Sequence, residues 1–265
     1  MISLIIPTYR NPDYLDLCLR SAIEGQSGAN EIIVVADGFI EESTEVLTKY
    51  TQDIYVLNLG HNQGMQTALN VGVMNANNET ICIINDDNVL CNEWDNIISE
   101  DMAPNTVLTI NQIEPRGPGI FNFPVKNFGT TPQDFNYEEF IKYESSIRSN
   151  RHTPDGGIFP FAMTKKDYMI VGGFETLYKS PFVCDWDFFL KLDLNNKAFV
   201  RTHKGHFYHF GSTATRKGGD AAMFNASEAP AAALYEYKWG FKPQLLTNNS
   251  HKPKGAVAIK GIYYD

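Results

Sequence analysis

Four short polar groups in the first ninety residues each follow a short apolar run. They are Pro7-Thr8-Tyr9-Arg10, Asp37-Gly38, Asn62-Gln63-Gly64 and Asn85-Asp86-Asp87-Asn88. In an open parallel sheet, ligands bind beyond the carboxyl ends of the strands, where loops supply side chains without breaking the core. If the apolar runs are parallel strands, the four groups face one ligand site. Each group alone is weaker evidence for a ligand site, since Asp-Gly after a strand is often only a turn.

The adjacent carboxylates Asp86 and Asp87 carry the clearest chemistry. Two neighbouring acids repel, and the repulsion raises the pKa of one of them unless a cation lies nearby. Hard oxygen ligands at a strand end suit Mg²⁺ or Mn²⁺ bridging to a substrate diphosphate. The pair therefore predicts a divalent metal site.

The elements that position these groups alternate in type. "ISLII", "EIIVVA", "IYVLNL" and "TICIIN" read as buried strands. Between them lie helical patterns that begin near Pro12, Glu42 and Met65, the first with Asn11 as its N-cap. Strand and helix in alternation predict an α/β fold with a mostly parallel central sheet and helices on both faces.

The second half is less regular. We predict a helix over about 137–146, a strand in "GGIFPFAMT", an aromatic-rich helix over 182–194, and short strands in "AFVRTH" and "HFYHFG". From about Arg216 the chain reads as loose, with a surface tail at its end. Without repeats or linkers, one domain is predicted.

Composition limits the partners. The chain has 265 residues, 43% hydrophobic, and a formal net charge of −9, which argues against duplex nucleic acid or an anionic membrane surface as the main partner. No apolar run reaches about 18 residues, so no transmembrane helix is expected. The first apolar run is too short for a signal peptide, and the four cysteines lack paired spacing. We expect a soluble, cytoplasmic protein with buried, reduced thiols.

Six segments occur in the following order along the chain, and together they resemble the pattern of a known family: "SLIIPTYRNPDYLDLCLRSAI", "EIIVVADG", "NQGMQTALNVGV", "INDDN", "VGGF" and "DWDFFLKL". From Ile2 to about Ser212 the chain resembles the inverting family 2 glycosyltransferases. The resemblance implies a GT-A fold and metal-dependent transfer of a sugar, with inversion, from a UDP- or dTDP-type donor to an acceptor hydroxyl. Mn²⁺ or Mg²⁺ would be the cofactor. Residues 1–110 would form the nucleotide-binding half, 111–220 the acceptor-side half, and 221–265 a C-terminal extension.

The resemblance also implies roles on the donor side. Residues 7–10 would line the nucleoside pocket, with Tyr9 against the base. Asp37 would hydrogen-bond the pyrimidine, and the turn of Asn62 and Gly64 would lie beside the uracil, although Gly64 could equally be a plain helix start. Asp86 would face the ribose, or the metal through water, and Asp87 would ligate the metal. The chain departs from the family pattern at Ala36 and Asn85, where acids are common.

On the acceptor side, Asp185 matches the catalytic base, although Cys184 stands where relatives often have glutamate. Asp187 is the less favoured candidate, expected to be a solvated or capping acid. At Gly173, the backbone would approach the donor sugar or acceptor closely, with a plain turn at the C-terminus of a helix as the alternative. Trp186 is most simply a core residue, with an acceptor-sugar platform as the alternative.

The histidine-containing segment near the end of this half adds a metal candidate. By strand alternation, His206 and His209 fall on opposite faces, so at most one of them faces the site. His209 matches the family's metal ligand better, although a structural role is equally open. Arg216 and Lys217 would hold the diphosphate.

Three other classes of protein fit the sequence less well. A dinucleotide-dependent oxidoreductase is disfavoured because no strand is followed by a G-x-G-x-x-G turn. A sugar-nucleotide pyrophosphorylase would need a glycine- and arginine-rich loop where "PTYRNP" stands. A nucleotide-sugar or glycan-binding protein without catalysis stays open, because the chain departs from the family at Ala36, Asn85 and Cys184.

Overall fold

A computed structural model describes residues 1–116, 123–211 and 218–243. Its strands are β1 (Ile2–Thr8), β2 (Glu31–Ala36), β3 (Tyr55–Asn58), β4 (Thr80–Ile83), β5 (Asn88–Val89), β6 (Thr106–Ile113), β7 (His152–Thr153), β8 (Phe161–Thr164) and β9 (Ala198–His209). Its helices are α1 (Pro12–Gly25), α2 (Ile40–Lys49), α3 (Met65–Asn75), α4 (Trp94–Asp101), α5 (Tyr137–Ile147), α6 (Lys165–Ile170), α7 (Cys184–Leu194) and α8 (Ala221–Trp239).

These strands form one sheet in the order β3-β2-β1-β4-β8-β6-β9-β5, with β7 paired to β9. The first four run parallel to one another. Strand β8 is antiparallel to both β4 and β6, and β6 runs parallel to β9. The carboxyl ends of β1, β2, β3 and β4 therefore meet at one edge, as predicted, and loops at that edge can build a shared site.

Alternating side chains divide the core into two faces. Ile5, Ile33 and Val35 point to the face covered by α3, α6, α7 and α8. Leu4, Ile6 and Val34 point to the opposite face, under α1, α2 and α4. Because both faces of the parallel strands are covered, the strands are apolar almost throughout, which is why the first half could be predicted from sequence.

The second half differs from the sequence prediction most clearly at β6, β9 and α8, and the short elements β7 and α6 were not predicted either. Strand β6 was not predicted, because four of its eight residues are polar, yet all eight are buried. "AFVRTH" and "HFYHFG" form one continuous strand, β9, whose pairing with β6 shifts register between Ile110 and Asn111. The region after Arg216 was predicted to be loose, but it contains the 19-residue helix α8.

None of the described helices is both long and apolar enough to cross a membrane.

Candidate active site

A cavity of about 1350 Å³ opens at the carboxyl ends of the parallel strands. All four polar groups identified in the sequence contribute to its wall: residues 7–10, Asp37, residues 62–64 and residues 85–87. The wall is completed from the second half by Asp185, Trp186 and His209, and from α8. The cavity thus joins parts of the chain more than 200 residues apart.

At the base of the cavity, Asp86 is held by two side chains from β1 and the start of α1. The Thr8 hydroxyl donates to Asp86 Oδ2 at 2.8 Å, and Asn11 Nδ2 donates to Asp86 Oδ1 at 3.0 Å. Asn11 is the N-cap residue of α1, as predicted, but its side chain does not cap the helix. The Asn11 side chain donates its hydrogen bond to Asp86 instead.

Burial, together with the neighbouring charge of Asp87, raises the pKa of Asp86 to about 7. This is the effect predicted for two adjacent carboxylates. The hydrogen bonds from Thr8 and Asn11 act in the opposite direction, because they favour the ionised form.

Asp37 shapes the turn that precedes α3. Its two carboxylate oxygens accept the backbone N–H groups of Gln63, at 2.6 Å, and of Gly64, at 3.0 Å. Burial raises the pKa of Asp37. Gly64 has φ +96°, a conformation that favours glycine. Asp37 and Gly64 both line the cavity, but the hydrogen bonds seen for Asp37 go to the backbone of this turn.

Tyr9 and Arg10 contact the C-terminal helix. The Tyr9 hydroxyl donates to Asp220 Oδ2 at 2.9 Å, and Arg10 Nη1 lies 3.4 Å from the same oxygen. The Tyr9 ring meets Phe39 and Phe224 edge-on, with centroids 5.6 and 5.9 Å apart. One side of the predicted nucleoside pocket is therefore built by α8, which the sequence reading placed outside the site.

Asp87 and His209 lie together at the cavity wall, with His209 Nε2 3.6 Å from Asp87 Oδ1. His209 Nδ1 lies 3.2 Å from Glu114 Oε1, which orients the ring. His206 is buried beside Glu144 and does not line the cavity. Of these two histidines, His209 is the one that lines the described cavity.

The residues present suit a metal that takes most of its ligands from elsewhere. Among the described residues, no three His, Cys, Asp or Glu side chains are grouped as a closed metal cage. Mg²⁺ in proteins is typically bound through one or two carboxylates plus substrate phosphates and water. Asp87, with His209 beside it, fits that open arrangement.

Asp185 lies in the first turn of α7 and is partly exposed to the cavity. Burial raises its pKa to about 6. Trp186 is partly buried and also lines the cavity, whereas Phe188 and Phe189 are core residues. A carboxylate with this pKa is ionised near pH 7 and can accept a proton.

Asp187 was expected to be solvated or capping, and that expectation is wrong. Its side chain is fully buried on the inner side of α7. Oδ1 accepts from the Tyr178 hydroxyl at 3.1 Å and from Trp239 Nε1 at 2.8 Å. Lys238 Nζ lies 2.8 Å from the same oxygen, and Lys191 Nζ lies 3.5 Å from Oδ2.

Gly173 follows the second of its two expected roles, a turn after a helix, since it comes just after α6 and is not among the described residues that line the cavity. It has φ +62°, and a Cβ added there would lie 2.4 Å from Asn70 Oδ1. Its carbonyl accepts from Lys191 Nζ at 2.5 Å. Gly173 therefore allows a tight turn to pack on α3 rather than approaching a ligand.

The sequence reading missed the contribution of α8 to the cavity. Five residues at the start of this segment line the wall: Asp220, Met223, Phe224, Ser227 and Glu228. Their spacing of three and four residues is that of one helical face, which is the signal that could have revealed them. The predicted diphosphate ligands Arg216 and Lys217 lie outside the described residues.

The chain is similar to known proteins in family pattern, in sequence and in structure. The model of the family described as "Glycosyl transferase family 2" matches residues 3–171. An uncharacterized glycosyltransferase of Haemophilus influenzae is 25% identical over 192 residues, which make up 72% of this chain and 62% of that protein. The chain thus spans less than two thirds of the length of that curated relative.

Solved structures share the fold at low identity. Staphylococcus aureus TarS, residues 1–349, matches with a TM-score of 0.57 and 17% identity, covering 91% of this chain and 72% of that one. A mannosyltransferase of Pyrobaculum calidifontis, solved with GDP-Man and Mn²⁺, matches with a TM-score of 0.60 and 16% identity, over 91% of this chain and 65% of that one. TarS has also been solved with UDP-GlcNAc, and that structure has a TM-score of 0.56, 16% identity, and coverage of 91% and 73%. The predicted GT-A fold is confirmed by these likenesses.

Proposed function

The chain belongs to glycosyl transferase family 2, and from that premise we propose that it is a metal-dependent, inverting glycosyltransferase. Its donor would be a nucleoside diphosphate sugar of the UDP or dTDP type, and its acceptor a hydroxyl group. The observation that carries the proposal is a single cavity lined by the strand-end polar groups, by the pair of Asp87 and His209, and by the separate carboxylate Asp185.

The donor side of the cavity supports binding of a nucleotide. Pro7, Thr8, Tyr9 and Arg10 follow β1 at the edge where ligands of parallel sheets bind. Tyr9 offers an aromatic surface for a base. Asn62 and Gly64 would flank the base from the turn that Asp37 holds in place, and Asp86 would face the ribose.

The charge of the cavity supports the need for a divalent cation. Seven acids line its described part: Asp37, Asp86, Asp87, Glu114, Asp185, Asp220 and Glu228. The lysine and arginine residues of that lining are Arg10 and Lys179, and Arg10 is paired with Glu42 and Asp220. A diphosphate entering such a field is repelled unless a cation accompanies it. Asp87 and His209 would hold Mn²⁺ or Mg²⁺, and the ion would stabilise negative charge on the leaving diphosphate.

Asp185 is proposed as the general base. The acceptor hydroxyl oxygen forms a bond to the anomeric carbon while its proton passes to the Asp185 carboxylate. The bond between that carbon and the diphosphate oxygen breaks, and the leaving nucleoside diphosphate keeps the electron pair. Attack from the face opposite the leaving group inverts the anomeric configuration. Trp186, which follows the base in the chain and also lines the cavity, would stack on an acceptor sugar.

The experiment is nucleoside diphosphate release from a panel of UDP-, dTDP- and GDP-sugars with Mn²⁺, tested with simple sugar acceptors. Asp185→Asn should lower kcat at least a hundredfold and leave the donor Kd within about threefold, since general base catalysis typically contributes 10²–10⁴-fold. Asp87→Ala should abolish the Mn²⁺-dependent part of donor binding in calorimetry. Asp167→Asn, an acid in the first turn of α6 outside the cavity lining, serves as the matched control.

Turnover in Asp185→Asn equal to that of the unaltered chain would remove Asp185 from this role. A protein that only binds sugars would show donor binding without turnover in either form. Absence of binding to every nucleotide sugar of the panel would overturn the donor assignment.

A further inference from the structure

We infer that Asp187 is a positioning residue that fastens helix α8 in place as a wall of the donor cavity. The inference rests on the proposed function, because it concerns the binding of that donor. It assigns a role to a buried acid that does not itself line the cavity, and it makes the C-terminal helix part of the site rather than an extension.

One face of helix α8 lines the cavity in its first half and packs on the core in its second half. Its first two turns, with the N-cap residue Asp220, supply the cavity wall. The same face continues at Ala231 and Tyr235, which are buried in the core beside α7. A helix of 19 residues extends about 28 Å at 1.5 Å per residue, so anchoring one end fixes the position of the other.

The C-terminal end of α8 is fastened by Asp187. Three donors converge on its Oδ1: the Tyr178 hydroxyl, Trp239 Nε1 and Lys238 Nζ. Two of them, Lys238 and Trp239, are the last two residues of α8. Lys191, one turn along α7, faces the other oxygen. A fully buried carboxylate needs such partners, and separating them leaves a costly buried charge.

Two further contacts place the other half of α8. Ser227 Oγ donates to Ser180 Oγ at 2.8 Å, in the segment that leads into α7. Asp220 accepts from Tyr9 and pairs with Arg10, which are predicted donor-binding residues. The Asp187 cluster has a more buried acid than the Asp220 contact, since the Asp187 side chain is fully buried and that of Asp220 is 30% exposed. We therefore assign the fixing of the helix to Asp187.

The test compares Asp187→Asn with the unaltered 265-residue chain. Asparagine keeps the shape and one acceptor oxygen but removes the charge that faces Lys191 and Lys238. Hydrogen–deuterium exchange of the α8 amides should rise at least tenfold without any ligand. The Kd for UDP with Mn²⁺ should rise at least fivefold, and the donor KM with it, while kcat changes less than threefold.

The matched control is Asp95→Asn, another buried acid, in α4. Its carboxylate accepts from the Ser27 and Gly28 backbone and from Asn30, away from the cavity. It should lose stability but keep α8 exchange and UDP affinity within twofold. If Asp187→Asn fails to fold, Trp239→Phe removes one donor of the cluster and should raise α8 exchange and UDP Kd in the same direction.

Three results would overturn the inference. One is an unchanged hydrogen–deuterium exchange of α8 in Asp187→Asn and in Trp239→Phe. Another is faster α8 exchange with UDP affinity unchanged. The third is a fall in kcat with Kd unchanged, because it would mean that Asp187 acts on Asp185 through α7 instead. If the unaltered protein binds no nucleotide at all, the proposed function fails, and the exchange experiment still decides whether Asp187 anchors α8.

Discussion

The cavity carboxylates differ in the partners that surround them. Asp86 receives hydrogen bonds from Thr8 and Asn11. Asp37 receives two backbone N–H groups. Asp185 accepts from the backbone N–H of Trp186 at 2.9 Å and stays partly open to the cavity. Acids of one chemical type thus have different surroundings: Asp86 and Asp37 accept hydrogen bonds on both oxygens, whereas Asp185 stays partly open to the cavity.

At this residue scale, the pKa of Asp185 predicts that kcat decreases at acid pH. Burial raises the pKa to about 6, so the base is ionised above that pH and protonated below it. We expect kcat to fall about tenfold for each pH unit below 6, since only the ionised form accepts the acceptor's proton. The measurement is kcat at saturating donor from pH 4.5 to 8.

Donor affinity is measured over the same pH range, because Asp86 has a pKa of about 7. Its change of charge within this range affects donor binding separately from kcat. A kcat that stays level down to about pH 4, the pKa of an ordinary aspartate, would contradict the assignment of Asp185 as the base.

At the scale of elements, helix α3 must lie close to the sheet for the turn at Gly64 to reach the cavity. Gly72 makes this approach possible. A Cβ added at Gly72 would lie 2.6 Å from Ile5 Cγ2 and 3.0 Å from Val35 Cγ2, both buried side chains of β1 and β2.

Gly72→Ala should therefore destabilise the protein by about 1–3 kcal/mol, the usual cost of overpacking a core, despite the better helix propensity of alanine. Urea unfolding followed by circular dichroism measures the free energy of unfolding. Gly219→Ala is the control, because nothing lies within 4 Å of its added Cβ. Equal stability of the two variants would show that α3 can move away from the sheet.

At the scale of the whole molecule, both faces of one sheet are covered, and each face has its own cluster of buried hydrophobic residues. The four cysteines, Cys18, Cys82, Cys91 and Cys184, are all free and buried, as the sequence analysis predicted. They lie in different parts of the fold: α1, β4, the segment before α4, and α7. Burial raises the pKa of each thiol above its usual value.

All four thiols should therefore react with an aromatic disulfide reagent only as the molecule unfolds, because the thiolate is the reactive form and it is both disfavoured and enclosed. The four should become reactive together across a urea titration. The measurement is the reaction rate per thiol in native buffer and in urea. A thiol that reacts rapidly in native buffer would reveal local opening around it.

The sequence by itself determined the parts of the protein that depend on local pattern. Buried strands that alternate with helices produce an apolar period visible in the letters, and polar residues that end such strands, including Asp37 and Asp87, must collect at one edge of a parallel sheet. Strand alternation likewise separated His206 from His209. For these features, neighbours along the chain carry the information.

Only the tertiary structure decided the features that depend on distant partners. The polar residues of β6 are buried because partners elsewhere in the chain satisfy them, as Thr109 Oγ1 accepts from the backbone N–H of Gly157 at 3.0 Å. Helix α8 contains Pro230, a residue that disfavours a helix interior, and the sequence pattern did not show what the inward face of this helix covers. The place of Asp187 depends on Trp239, 52 residues away. A side chain's hydrogen-bond partners are set by the folded chain as a whole, so a local period can indicate a helical face but not what packs against it.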